Sequence, residues 1–146
     1  MSSVVSESQE EFLATIERAV RSFYEQFCNT GHRSREWVMG RHAQVYIRMT
    51  ERFMPSRQRV ICLDLANIES REKGTAGLVI SLLLELTVEL GIGLYVENCM
   101  SPKMVHLCRK NKLAMAQNGA MGLPSFYMVP GGFGKFPPNF GETKSY

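Results

Sequence analysis

A mixed α/β (α+β) fold in one domain is expected for this 146-residue chain, with helices on both faces of a central mixed sheet. Three observations predict it. Val45, Ile47 and Met49 alternate with Tyr46, Arg48 and Thr50, the period of a half-buried strand. Residues 59–66 form an apolar run that breaks into a short loop with Gly74 and Gly77 and passes directly into a Leu-rich helical stretch. Residues 93–97 then read as a short strand, which the right-handed crossover rule makes parallel to the one before the loop.

The length suffices to bury a core without staples. Hydrophobic residues make up 45% and charged residues 21%, ordinary globular values, and the net charge is only +3. That charge permits an acidic ligand but lacks the dense basic stripe of a nucleic-acid binder, and no stacked aromatic platform accompanies the arginines. Nucleic acid is therefore not an expected partner. Cys28, Cys62, Cys99 and Cys108 show no metal-type spacing, so no metal is expected. With no signal-peptide pattern at the start, they read as reduced thiols in a cytoplasmic protein. The most apolar stretch, residues 78–84, is far too short for a membrane span.

In chain order, residues 1–5 are expected to fray, and a helix starts at Ser6 or Ser8 with Gln9 or Glu11 as capping-box partner. Phe12, Leu13, Ile16, Ala19, Val20, Phe23, Tyr24 and Phe27 recur at helical spacing, and residues 29–31 close the helix. That stripe packs on a sheet or, alternatively, makes a homodimer face. Residues 32–43 read as either a short strand or a helical turn, with His32, Arg33, Arg35, Arg41 and His42 as a loose basic cluster. Residues 44–67 form an antiparallel hairpin turned at 54–56. Its second strand is central, because residues 60–65 are apolar on both faces except at Asp64.

The following helix is apolar except along Ser81, Glu85 and Glu89, which marks a buried crossover ended by Gly91 and Gly93. Ser101 caps another helix with Pro102 at its first position and Arg109, Lys110 and Lys112 at its end. Residues 113–116 and 123–129, around Asn118-Gly119, make a closing hairpin. A Gly-, Pro- and Phe-rich tail follows from Pro130, to be draped on the domain or mobile.

The residues Arg71, Glu72, Lys73, Gly74, Thr75 and Ala76, followed by Gly77 and the Leu-rich helix, resemble the acyl-CoA signature Q/R-x-x-G-x-G/A of the GNAT N-acetyltransferases. The order of segments over about residues 44–129 is similar to that family as well. The physics of the loop agrees. Glycines 74 and 77 let backbone approach a pyrophosphate, helix N–H groups and dipole favour an anion, and Arg71 and Lys73 add charge at the rim.

The resemblance implies a sheet splayed between its two central strands, near Asn67 and Asn98. The pantetheine arm would lie there against backbone of Leu65, Ala66 and Asn67. By spacing on the fourth helix of the family, Ser101 stands where an asparagine is common and Cys108 where the general-acid tyrosine is. Tyr127 is the alternative acid. Asp64, near a family glutamate, is the candidate general base, since a carboxylate in an apolar strand suits that task. Each has a plainer reading: Cys108 as core, Tyr127 as a half-buried strand residue, and Asp64 as counter-ion of Arg48 or Arg59. The N-terminal, acceptor-facing part is abbreviated relative to the family. The function implied is acyl-CoA-dependent N-acyl transfer, most simply acetyl from acetyl-CoA to a small or protein amine. The alternative is a non-catalytic module of the same fold that binds a protein partner.

Overall fold

The computed structural model describes residues 8–41, 43–53, 59–97, 99, 101–116 and 123–130. Among these residues three helices, α1 (Gln9–Thr30), α2 (Thr75–Leu90) and α3 (Pro102–Lys110), accompany six strands. These are β1 (Arg35–Met39), β2 (Ala43–Phe53), β3 (Arg59–Ser70), β4 (Gly93–Val96), β5 (Ala114–Met115) and β6 (Phe126–Met128). The sheet order is β1-β2-β3-β4-β6-β5; β3 and β4 are parallel and every other neighbouring pair is antiparallel.

Local chemistry sets the ends of the elements. Ser8 Oγ accepts from Glu11 N while the Glu11 carboxylate accepts from Ser8 N, a complete capping box, and Gly31 closes α1 in the left-handed region at φ 74°. Ser101 Oγ accepts from Met104 N at 3.1 Å, with Pro102 opening α3. Within the stretch 32–43, which reads from sequence as strand or turn, residues 35–39 are strand β1. It pairs with β2 from Arg35↔Arg48 to Met39↔Gln44. β3 runs on to Ser70, four residues past the expected end. The fraying expected at residues 1–5, the turns expected at 54–56 and at Asn118-Gly119, and the tail beyond Pro130 lie outside the described residues.

Among the described residues the helices lie on one face of the sheet, not on both. Strand side chains alternate between faces, and those on one face (Val45, Ile47, Met49, Leu63, Leu65, Leu94, Val96, Phe126 and Met128) join a single core with α1, α2 and α3. The opposite face contributes only the small strand cluster of Cys62, Tyr127 and Val129, and no described helix covers it. The reason lies in the topology. β6 inserts between β4 and β5, so α2 and α3 both belong to crossovers that advance in the same direction across the sheet. Two right-handed crossovers advancing together lie on one face. Ile16, Val20, Val79, Ile80 and Leu83 are fully buried there, each contributing about 1.5–3 kcal/mol of hydrophobic stabilisation. Among the described residues no helix is long and apolar enough to cross a membrane.

Candidate functional site

The β3–α2–β4 unit holds the loop singled out by the sequence. Ser70 Oγ donates to Glu72 O at 2.9 Å and accepts from Glu72 N at 3.3 Å, folding the chain back on itself. Thr75 N then donates to Glu72 O, and Gly74 takes φ 88°, a left-handed conformation that a side chain would strain. Gly74 is the N-cap of α2 and supplies no side-chain cap, and the first turn carries no acidic residue. The positive end of α2 is therefore open, next to exposed Arg71 and Lys73.

The start of α1 fastens this loop from behind. Gln9 Nε2 donates to Thr75 Oγ1 at 2.6 Å and to Glu72 Oε1 at 3.4 Å, and Thr75 Oγ1 donates to Glu72 Oε1 at 3.3 Å. Thr75 is buried in this triangle, so its side chain serves the fold, while Glu72 keeps a carboxylate near the start of α2. Ala76 is half-buried on α2, and a Cβ at Gly77 would meet only Leu107 Cδ2 at 3.6 Å, an ordinary contact.

The parallel ladder between β3 and β4 is short. It runs from Cys62↔Gly93 to Leu65↔Val96, and Glu97 N donates to Leu65 O at 3.0 Å. β3 continues five residues further, to Ser70, beyond the end of β4. Ala66 is the bulged residue between Tyr46↔Asn67 and Ile47↔Leu65, so it has no register partner on either neighbouring strand. Leu65 is buried with its carbonyl engaged, whereas Asn67 is exposed. Asn98 lies outside the described residues, and Ser101 is committed to capping α3.

Asp64 is 1% exposed on the helix-free face, and both its oxygens are occupied. Arg52 donates through Nε to Oδ1 at 2.8 Å and through Nη2 to Oδ2 at 3.0 Å, and Arg48 Nη2 donates to Oδ2 at 3.2 Å. Arg52 and Arg48 also pair with Glu97, and the Arg52 guanidinium lies 4.0 Å from the centroid of the Tyr95 ring. Burial alone would lower the Arg52 guanidinium, but the hydrogen bond and charge of Asp64 outweigh it and raise its pKa. Asp64 is thus held as counter-ion to two arginines, the plainer of its two expected roles. Arg48 is one expected partner; Arg59 instead pairs with Glu51. Arg52 escapes a reading of the sequence: it lies four residues along β2 from the register partner Arg48, and only its reach back across the sheet reveals it.

Cys108 is fully buried on the core side of α3, with Sγ 4.0 Å from that of Cys99. The contact with Cys99 and burial both push the Cys108 thiol up, while the same contact holds Cys99 down. Cys108 therefore faces the core and not the helix-free side that carries Asp64. Tyr127 does face that side, opposite Tyr95 on β4 and packed with Cys62 and Val129. Burial pushes its phenol above the ordinary value of 10.0, so it keeps its proton. Register alone lines up Arg35, Arg48, Asp64, Tyr95 and Tyr127 in one row across five strands. Among the described residues no group of His, Cys, Asp and Glu could hold a metal ion.

No protein-family model, curated protein or solved structure matches this chain.

Proposed function

We propose that this chain is an acyl-CoA-dependent N-acyltransferase of GNAT type, transferring most simply the acetyl group of acetyl-CoA to an amine. One observation carries the reading: the parallel β3–β4 ladder stops at Leu65↔Val96, and the helix that crosses between these strands begins with an uncapped, left-handed glycine. A strand that runs on past its parallel partner, with a positive helix end following it, fits a ligand with a pyrophosphate and an amide-bearing arm. Arg71, Lys73 and the N–H groups of residues 76 and 77 would hold the pyrophosphate, Thr75 having already given its N–H to Glu72. Backbone of Ala66 and Asn67 would meet the pantetheine amides, Leu65 having already given its carbonyl to Glu97.

In this reading the neutral amine attacks the thioester carbonyl, the C–S bond breaks, and the departing thiolate takes a proton. Tyr127, protonated and on the helix-free face, is the better donor, because Cys108 is sealed in the core. The amine loses its proton to water, since Asp64 is engaged by Arg48 and Arg52. The test is release of free thiol from acetyl-CoA in the presence of a panel of primary amines and lysine peptides. Amine-dependent release that falls in Tyr127→Phe supports it.

The engagement of Asp64 and the burial of Cys108 also favour a second reading, a non-catalytic module of the same fold. Acetyl-CoA binding without thiol release across the panel would select that one.

A further inference from the structure

Acyl transfer makes no use of one buried pair. Cys99, just past the end of β4, and Cys108, on α3, lie with their sulfurs 4.0 Å apart, near enough for one thiol to donate to the other. Both belong to the core, yet their access differs: Cys99 is 4% exposed and Cys108 0%. A disulfide would bring the sulfurs to about 2.05 Å. Rotation of one side chain with a small backbone shift closes that gap.

Each sulfur is anchored through its own backbone. Cys99 N donates to Pro124 O at 2.7 Å, which ties the exit of β4 to the approach to β6. Cys108 sits inside α3, capped by Ser101 at one end, and its carbonyl accepts from Leu113 N at 3.0 Å at the other. Among the described residues no third His, Cys, Asp or Glu joins the two thiols, so they fall short of the four ligands of a structural zinc site. The chemistry separates their roles. A thiolate, not a thiol, is the nucleophile. The contact with Cys108 holds the Cys99 thiol below its ordinary value of 9.0, and the same contact together with burial pushes Cys108 up. Cys99 is thus both the more acidic thiol and the one nearer solvent.

We propose that Cys99 and Cys108 form a hydroperoxide-responsive switch, in which Cys99 is oxidised first and Cys108 resolves it to a disulfide. The Cys99 thiolate attacks a peroxide oxygen and the O–O bond breaks. Cys99 becomes a sulfenic acid, and the departing hydroxide or alkoxide takes up a proton. The Cys108 sulfur then displaces hydroxide from the Cys99 sulfur, its thiol proton turning that hydroxide into water. The two thiols lose two electrons, the peroxide gains two, and a dithiol reductant reverses the bridge. Transient bridges of this kind suit a reducing compartment. The bridge also reaches the loop at 71–77. Leu107, next to Cys108, has its Cδ2 3.6 Å from where a Cβ on Gly77 would stand. Drawing Cys108 toward Cys99 shifts that contact at the start of α2 and weakens acetyl-CoA binding. This consequence rests on the acyl-transfer reading; the disulfide does not.

Cys28 is exposed and would react by itself, so the test is made on the full chain carrying Cys28→Ser, which leaves three of the four free cysteines. The folded protein is treated with hydrogen peroxide in slight excess, quenched in acid, and its thiols counted after unfolding. The expected result is a fall from three thiols to one, a mass lower by two hydrogens, and recovery of both with dithiothreitol. Peptide mapping should place the bridge between Cys99 and Cys108, a result that needs no core variant to fold. With Cys108→Ala added, dimedone should trap a sulfenic acid at Cys99; with Cys99→Ala added, Cys108 should stay unmodified. Acetyl-CoA affinity should drop about fivefold on oxidation, the lower end of coupling between sites. Three results would each overturn the switch: no thiol loss in the folded protein, a bridge through Cys62, or dimedone trapping at Cys108 in the Cys99→Ala protein. Unchanged affinity in the bridged protein would overturn its link to the loop. Absence of acetyl-CoA binding by the reduced protein would count against the acyl-transfer reading alone, because thiol loss decides the switch.

Discussion

Arg52 grips Asp64 with both edges of its guanidinium, Nε to Oδ1 at 2.8 Å and Nη2 to Oδ2 at 3.0 Å, while the carboxylate is 1% exposed. This bidentate pair is what allows a carboxylate to sit in an otherwise apolar central strand. Removing the charge in Asp64→Asn leaves Arg48 and Arg52 with only Glu97. The expected loss is about 3 kcal/mol, the low end for a broken buried pair because both arginines reach partly into solvent. Urea unfolding of Asp64→Asn and of Glu97→Gln measures it, and the loss should be larger in the first. A stable Asp64→Asn protein with abolished thiol release would instead make Asp64 the base.

Gly74 and Gly77 respond in opposite ways. Gly74 has φ 88°, and a Cβ placed there meets nothing within 4 Å, so Gly74→Ala incurs only backbone strain, about 1–2 kcal/mol of destabilisation. Gly77 is helical and its Cβ would meet only Leu107 Cδ2 at 3.6 Å, so Gly77→Ala should stabilise by up to about 1 kcal/mol through helix propensity. If residues 76 and 77 cradle a pyrophosphate, the same Gly77→Ala protein will bind acetyl-CoA more weakly despite its higher thermal midpoint. Stability and affinity moving in opposite directions is the signature to look for.

Glu72 keeps its carboxylate beside Thr75 at the start of α2, held there by Gln9. A negative charge at that point opposes a bound pyrophosphate. Glu72→Gln should therefore tighten acetyl-CoA binding about two- to fivefold, the size of a charge–helix-dipole effect, with a smaller gain at high salt. Isothermal titration at two salt concentrations checks both the sign and the screening.

Alkaline stability follows from the helix-free face. Burial raises the Cys62 thiol well above its ordinary value of 9.0 and the Tyr127 phenol above 10.0, and Asp64 adds to the effect at Cys62. Both groups stay neutral in the fold but ionise in the unfolded chain. Their contribution is thus fully present below about pH 9 and is lost as pH rises through the folded-state values. The urea midpoint should hold to about pH 9 and then fall. Cys62→Val, which keeps the volume without the thiol, should move the onset toward pH 10.

What is legible in the sequence follows the range of each interaction. The Ser8–Glu11 capping box, the Ser101 cap and the alternation of β2 depend on neighbours in sequence, and they form where the sequence puts them. What is not legible depends on pairing across the sheet. That α2 and α3 share a face requires β6 between β4 and β5, which local periodicity does not encode. The Arg52–Asp64 grip joins residues on two strands that are offset in register, and the contact between the Trp37 and Tyr46 rings needs β1, only five residues long, in place beside β2. The loop at 71–77 is legible as a glycine turn into a helix. The fastening of Thr75 and Glu72 by Gln9 is not, because Gln9 is 66 residues from Thr75.

Whether the open start of α2 receives the pyrophosphate of an acyl-CoA is decided most directly by calorimetric titration of the protein with acetyl-CoA, with Gly74→Ala and Gly74→Glu measured alongside. Both variants carry the same backbone strain, and only the second puts an anion in the site. The expected result is a dissociation constant of about micromolar order for the wild type, modest weakening in Gly74→Ala, and loss of binding in Gly74→Glu. No binding by the wild type, or equal affinity in the two variants, would contradict a pyrophosphate site at this helix end.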